Sequence, residues 1–391
     1  MDNAISVDDF YFPEKYPPPN RANRQSPQEM KGYSAGRKRL HGWLEVIRRK
    51  PDFSQPVAVF DFDGTCIFND IGKAVFEFQL DHFLFRHHIE SFAALFPQWA
   101  GALDGIPMAK IREQLIGLYR ELSSLTSKRI PAITTLRPAW KKFKVLFLWY
   151  INAARRNPLL GPEYTLTLLT RLLAGYTVAE VGRMTIQALQ KALDANVGEV
   201  IHSIRFAPPI GTISVTMHQG IRVYPEMIDL MTGLNESGIR CVVISASSQW
   251  VVEHALEYLG FPVEREDVYG IRVKLNEQGV LKTCPADDYP ITYRMGKRQV
   301  LENLVSGTPI LVAGDAETDY EMLTMPVPVR FIIDHGGKGL IRELINTPGY
   351  LVQAVDRRKG AFRSSGEKPP IQSVIIAAIL QKLLQSVQLA L

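Results

Sequence analysis

The sequence predicts an α/β fold, a doubly wound and mostly parallel sheet interrupted by a long, mainly helical insertion. Three observations predict it. An apolar run, Val57, Ala58, Val59 and Phe60, ends abruptly in Asp61-Phe62-Asp63-Gly64-Thr65. Strand and helix patterns alternate again after residue 220. Between them, residues 71–219 carry helical periodicity over a length far beyond the dozen or so residues that a crossover needs.

Taken in order, residues 1–34 read as a flexible arm. Pro17, Pro18 and Pro19 among Asn, Arg and Ser leave little to bury. Residues 35–49 then place Leu40, Trp43, Leu44 and Ile47 on one helical face. The run 57–60 lacks alternation, as expected of a central strand covered on both faces. In the insertion, Val75, Phe76, Leu80, Phe83 and Leu84 form one apolar stripe, and Ile111, Leu115, Leu118, Tyr119 and Leu122 another. Two more helical segments cover 166–173 and 181–193.

Beyond the insertion, Met227, Leu230, Met231 and Leu234 point one face of a helix inward, and Gly238 ends it. A strand at 241–244 and a helix at 249–259, stopped by Gly260, follow. Residues 271–275 and 280–282 flank Asn276-Glu277-Gln278-Gly279 and read as a hairpin. A helix at 297–304 and strands at 310–312 and 329–333 complete the alternation. The tail 371–391 is an amphipathic-to-apolar helix, expected to pack on the domain or on a subunit. The expected division is therefore an arm (1–34), an α/β core (35–70 with 220–391) and the insertion (71–219).

Composition narrows the class. The chain has 391 residues and a formal charge of +5. Cys66, Cys241 and Cys284 share no paired spacing, which argues against a disulfide framework or a zinc site and suits a reducing, cytoplasmic setting. The N-terminal stretch is acidic, aromatic and Pro-rich, unlike a secretory signal. Apolar stretches such as 145–151 fall far short of the roughly 20 residues of a membrane span. From Lys110 to Arg156 eleven lysines and arginines face only Glu113 and Glu121. Such a surface either attracts anionic partners, from small phosphoesters to lipid headgroups or nucleic acid, or is simply a solvated face.

The chemistry concentrates at strand ends. An Asx turn accounts for Asp63-Gly64 but leaves Asp61 unexplained, since two adjacent carboxylates repel unless a cation or a proton separates them. The strand at 241–244 runs into Ser245-Ala246-Ser247, and the strand at 310–312 into Gly314-Asp315-Ala316-Glu317-Thr318-Asp319. In parallel sheets such ends converge on one crevice. This set suits phosphoryl transfer to a carboxylate. Asp61 would be the nucleophile and Asp63 the general acid and then base. Asp61, the Asp63 backbone carbonyl and Asp315 offer hard oxygens to Mg²⁺, with Asp319 acting through a water. Ser245, the Ala246 amide and Lys297 would bind phosphoryl oxygens, together with Gly64 and Thr65 in the first turn. Lys282 is the rival lysine; Lys297 is favoured because its helix directly precedes the Asp315 strand. Ser247 and Ser248 read as N-caps of the next helix.

These motifs resemble the haloacid dehalogenase superfamily. Phe60-Asp61-Phe62-Asp63-Gly64-Thr65 looks like its DxDGT motif, Val243-Ile244-Ser245-Ala246-Ser247 its second motif, Lys297 its third, and Gly314-Asp315 through Asp319 its fourth. The serine-rich second motif and Tyr293-Arg294-Met295-Gly296-Lys297 are similar to the branch of phosphoserine and phosphorylcholine phosphatases. The resemblance implies a Rossmann-like core, a helical cap inserted after the first motif, and a Mg²⁺-dependent phosphatase. An acidic residue at Asp63 departs from the dehalogenases and from the transport ATPases of the superfamily.

Specificity is less legible. Asp70 stands nine residues after Asp61, where the phosphoserine phosphatases place an acid that meets the substrate amine; it is equally read, with Asn69, as a helix cap. Trp99, Trp140, Trp149 and Tyr150 suit either a cation pocket or the core of the insertion. The expected activity is hydrolysis of a small phosphorylated metabolite. A phosphotransferase or mutase using the same residues is the enzymatic alternative. A phospholipid- or nucleic-acid-binding protein using the basic insertion is the non-enzymatic one.

Overall fold

The computed structural model describes residues 55–126 and 138–363. The expected arm at 1–34 and the helices at 35–49 and 371–391 lie outside the described residues, as do Lys128, Arg129 and Arg137. Two compact units emerge, the chain passing from one to the other at Ile71, Ile221, Ile271 and Pro290.

The first unit holds a seven-stranded sheet. Its strands are β1 (Pro56–Phe60), β2 (Arg240–Ser248), β3 (Val268–Ile271), β4 (Thr308–Gly314), β5 (Val329–Asp334), β6 (Tyr350–Asp356) and β7 (Ala361–Phe362). They lie in the order β7-β6-β5-β4-β1-β2-β3. Strands β2, β1, β4, β5 and β6 run parallel, and β7 is antiparallel to β6. Central β1 is wholly buried, so its apolar run needs no alternation. Helices Pro225–Glu236, Gln249–Leu259 and Met295–Asn303 separate the parallel strands, as the α/β rhythm predicts. Gly260 closes the second of these in the left-handed conformation at φ 77°.

The other unit is mainly helical. Helices Ile71–His82, Met108–Thr126, Pro138–Arg156, Gly161–Arg171 and Val178–Asp194 dominate it. Thr177 and Glu180 form a reciprocal capping box that starts the last of them. The core is aromatic: Phe92 stacks on Tyr119 at 3.8 Å, and Phe83, Phe143, Phe147 and Tyr150 join the same buried cluster. Here the tryptophan question resolves toward packing. Trp149 and Tyr150 are buried, Trp140 donates its indole N–H to the Leu80 carbonyl at 2.8 Å, and Trp99 packs against the same core.

Two features depart from the sequence reading. The segment after the last of these helices is not helical: Gly198–Arg205 and Thr212–Gln219 pair as an antiparallel hairpin. Ile213, Val215 and Met217 point inward while Thr212, Ser214 and Thr216 stay exposed, a period of two that the helical reading of 71–219 passes over. The second departure is the hairpin Val273–Leu275 with Leu281–Pro285, which groups with residues 71–220 and not with the sheet. Backbone bonding explains it. Gly175 N–H donates to Leu281 O and Leu281 N–H to Tyr176 O, both at 2.9 Å, and Arg171 Nε donates to Thr283 O at 2.7 Å.

Part of the basic excess is matched locally: Lys144 pairs with Asp81, Lys110 with Glu113 and Arg156 with Asp104. Among the described residues no helix is long and apolar enough to cross a membrane.

Candidate active site

Register brings three strand ends to one level. Phe60 pairs with Val243 of β2 and with Ala313 of β4, so Asp61, Ser245 and Asp315 stand side by side toward the carboxyl ends of neighbouring parallel strands. The backbone extends this order by one residue, Asp61 N–H donating to Ala313 O at 2.9 Å.

Lys297 joins Asp61 to a further carboxylate, Asp319. Its ammonium donates to Asp61 Oδ1 at 2.5 Å and to Asp319 Oδ1 at 2.6 Å, and the side chain is wholly buried. The turn that delivers it is tightly constrained. A Cβ on Gly296 would stand 1.7 Å from the Ile291 carbonyl oxygen, so only glycine fits. Arg294 occupies a strained left-handed φ of 51°. It is held there by its N–H on Thr318 O at 2.9 Å and by its guanidinium on Glu321 at 2.6–2.9 Å. The lysine turn is thus tied to the loop that carries Asp315 and Asp319.

Asp319 is the organiser of that loop. While Oδ1 meets Lys297, Oδ2 accepts the N–H groups of Asp315 at 3.0 Å and Ala316 at 3.2 Å. Asp61, Asp315 and Asp319 offer carboxylate oxygens that lie within 4.8 Å of one another. Thr65 Oγ1 stands 3.5 Å from both Asp61 Oδ2 and Asp315 Oδ1.

Electrostatics favours a cation in this cluster. Burial, reinforced by Asp319, pushes Asp61 up to about 7 despite the attraction of Lys297. Burial, with Asp319 and Asp61 adding to it, holds Asp315 well above the usual carboxylate range. Burial alone would lower Lys297, yet Asp319 and Asp61 outweigh it and keep the ammonium charged. With all three carboxylates ionised, one lysine would leave two negative charges unmatched, a repulsion that protonation or a divalent cation relieves. Hard, closely spaced carboxylate oxygens are the donor set that Mg²⁺ prefers, so the residues present fit that ion.

The second motif is built around hydroxyls. Ser245 is wholly buried; its Oγ accepts Ser247 N–H at 3.1 Å, which leaves its own proton to donate. Thr292 Oγ1 donates to the Ser245 carbonyl at 2.6 Å. Ala246 is the half-exposed residue between two buried serines. The N-cap reading of the serines needs correction. Ser248 occupies the cap position and makes no capping bond with its side chain, whereas Ser247 Oγ donates to Asp63 Oδ2 at 2.6 Å.

The first turn closes through Gly64 N–H on Asn69 O at 3.2 Å. Gly64 has φ +80°, and a Cβ there would meet Asp315 Oδ2 at 2.2 Å. His335, one residue past β5, lies with Nε2 2.6 Å from the Gly64 carbonyl and 3.8 Å from Asp315 Oδ2. A carbonyl only accepts, so Nε2 carries a proton and donates; burial keeps the ring below its ordinary pKa.

The structure therefore collects Asp61, Asp63, Gly64, Thr65, Ser245, Ala246, Lys297, Asp315 and Asp319 around the carboxyl ends of β1, β2 and β4. Lys282, the rival lysine, is exposed on the hairpin Leu281–Pro285. Asp70 stands half-buried immediately before Ile71. Sequence reasoning passes over Thr292, Arg294, Glu321 and His335. Of these His335 alone carries a signal, its place at the carboxyl end of a parallel strand.

The family model described as haloacid dehalogenase-like hydrolase matches residues 145–324, a span that holds the second, third and fourth motifs. No curated protein matches the chain. Among solved structures, a conserved protein of unknown function from Anaerococcus prevotii is 23% identical, covering 80% of this chain and 89% of its own, with a TM-score of 0.69. A protein of unknown function from Bordetella pertussis is 13% identical over 78% of this chain and 99% of its own, with a TM-score of 0.40. A phosphoserine phosphohydrolase-like protein from Francisella tularensis is 13% identical over 76% of this chain and 94% of its own, with a TM-score of 0.38.

Proposed function

We propose that the chain, whose residues 145–324 match the haloacid dehalogenase-like hydrolase model, is a Mg²⁺-dependent phosphatase of that superfamily. Its substrate would be a small phosphomonoester, and the reaction would pass through an aspartyl-phosphate on Asp61. The observation that carries this reading is Lys297 between Asp61 and Asp319, with Asp315 within carboxylate reach of both.

Asp61 attacks phosphorus with a carboxylate oxygen, and the ester oxygen departs with the proton of Asp63. Asp63, now ionised, takes a proton from the water that cleaves the acyl-phosphate, so both residues return to their starting states. Lys297 and the Ser245 hydroxyl donate to phosphoryl oxygens, with the Ala246 amide beside them, where charge gathers in the transition state. Gly64 and Thr65 shape the turn against which the phosphoryl group sits. Asp61, the Asp63 carbonyl and Asp315 would hold Mg²⁺, with Asp319 acting through a water; when bound, the ion supplies positive charge to the phosphoryl oxygens. Asp70 is a further candidate, a carboxylate that would meet a cationic group of the substrate.

Incubation with a ³²P-labelled phosphomonoester and Mg²⁺, followed by acid quenching, tests the reading. Label should remain on the wild-type chain and be absent from Asp61→Asn. Wild-type turnover without any trapped label, or Asp61→Asn turnover equal to wild type, overturns it.

A further inference from the structure

The structure assigns Ser247 as the positioning residue of the proton donor: its hydroxyl occupies Asp63 Oδ2 and thereby aims Oδ1 at the leaving oxygen. This deepens the phosphatase reading above and rests on it.

The bond is short, 2.6 Å from Ser247 Oγ to Asp63 Oδ2, and spans 184 residues of chain, so it is a product of the tertiary fold and not of local turn chemistry. Ser247 is itself buried and doubly employed. Its N–H donates to Ser245 Oγ at 3.1 Å, so one residue connects the phosphate-binding hydroxyl to the acid. The backbone around it has little freedom. A Cβ on Gly270, in β3, would lie 2.7 Å from the Ser247 carbonyl oxygen and 2.5 Å from Gln249 Cα. The glycine lets β3 press against this corner of β2 beside Ser247.

A carboxyl group has a broad torsional range about its last bond unless something holds it. A bond from one side engages one oxygen and sets the direction of the other. Serine suits this role because a hydroxyl both donates and accepts, so it stays bonded whether its partner is ionised or protonated. Removing the hydroxyl leaves Asp63 in place and takes away the Ser247 bond to Oδ2. The loss then falls on the step that needs a proton at the leaving oxygen.

The test compares Ser247→Ala, Ser247→Thr and Asp63→Asn on two esters: an alkyl phosphate, whose leaving group requires protonation, and p-nitrophenyl phosphate, whose leaving group does not. Ser247→Ala should lose about tenfold or more in kcat on the alkyl ester and several times less on the aryl ester. Ser247→Thr, which keeps the hydroxyl, should recover most of the alkyl activity. Adding Ser247→Ala to Asp63→Asn should cost nothing further on the alkyl ester, because the acid it aims is already gone. Equal losses on both esters, or full additivity with Asp63→Asn, overturn the assignment and leave the phosphatase reading standing. A wild-type chain that hydrolyses neither ester and forms no phosphoenzyme overturns the phosphatase reading and the assignment with it.

Discussion

Lys297 Nζ lies 2.5 Å from Asp61 Oδ1, inside a site where the lysine has no exposed surface at all. An ammonium so deeply placed is retained because two carboxylates, those of Asp61 and Asp319, face it. The pair is reciprocal: each carboxylate would be costly to bury without the cation, and the cation without them.

Lys297→Met should therefore damage both stability and activity. It leaves Asp61, Asp315 and Asp319 crowded without a counterion, a change that costs about 3–5 kcal/mol when one partner of a buried pair is removed. Urea unfolding of the metal-free chain should show a lower midpoint. Phosphatase turnover should fall at least a hundredfold, since a donor to the phosphoryl oxygens is lost with the charge. If Lys297→Met unfolds at the wild-type midpoint, the ion pair is not holding the site together.

Much of this site is legible in the sequence, and for one reason. Asp61, Ser245 and Asp315 each follow an apolar run, and parallel pairing forces the ends of such runs together. Ser247 is harder to read because local chemistry allows a helix cap there, and only the packing of β2 beside β1 brings its hydroxyl to Asp63. The hairpin Leu281–Pro285 lies between core strands in sequence, which points to the wrong unit. Its backbone partners, at Gly175 and Tyr176, are about a hundred residues away, a distance no local pattern encodes. The strands Gly198–Arg205 and Thr212–Gln219 do carry their alternation in the sequence. The helical expectation for the insertion as a whole obscures it.

Gly64→Ala should weaken metal binding and leave most of the fold intact. Alanine disfavours φ +80°, and its methyl would displace the Asp315 carboxylate, which lies 2.2 Å from the Cβ position. Isothermal titration with Mg²⁺ should show at least a tenfold weaker Kd than wild type. A Kd equal to wild type would mean that Asp315 is not a ligand.

Magnesium should stabilise the chain by mass action. At a hundred times Kd, a ligand bound only by the native state adds about 2.7 kcal/mol. A thermal scan should show a rise in Tm with Mg²⁺ that chelation reverses and that Asp315→Asn abolishes. An undiminished rise in Asp315→Asn would place the ion elsewhere.

His335→Phe keeps a ring against Phe68 but loses the donor to the Gly64 carbonyl, which lies 2.6 Å away. The loss of one buried hydrogen bond costs about 1–3 kcal/mol. The expected signature is a lower Tm together with a reduced Mg²⁺ affinity, because the Gly64 carbonyl and the Asp315 carboxylate both lie near the same ring nitrogen, Nε2. A lower Tm with unchanged Mg²⁺ affinity would limit His335 to packing.

The helical unit should be acid-sensitive through His87. Burial pushes its imidazole down to about 4, from an ordinary value of 6.5, so the folded state holds it neutral while the unfolded chain takes up a proton below 6.5. The sign follows directly: its contribution is complete above 6.5 and is lost as pH falls toward 4. Between about pH 7 and pH 5 the loss is about 2 kcal/mol, at about 1.36 kcal/mol per pKa unit with partial protonation of the unfolded state at the upper end. Denaturant unfolding of wild type and His87→Gln at both pH values isolates this contribution. The variant should lose about 2 kcal/mol less than wild type over the interval, and equal losses in the two proteins would remove His87 as the cause.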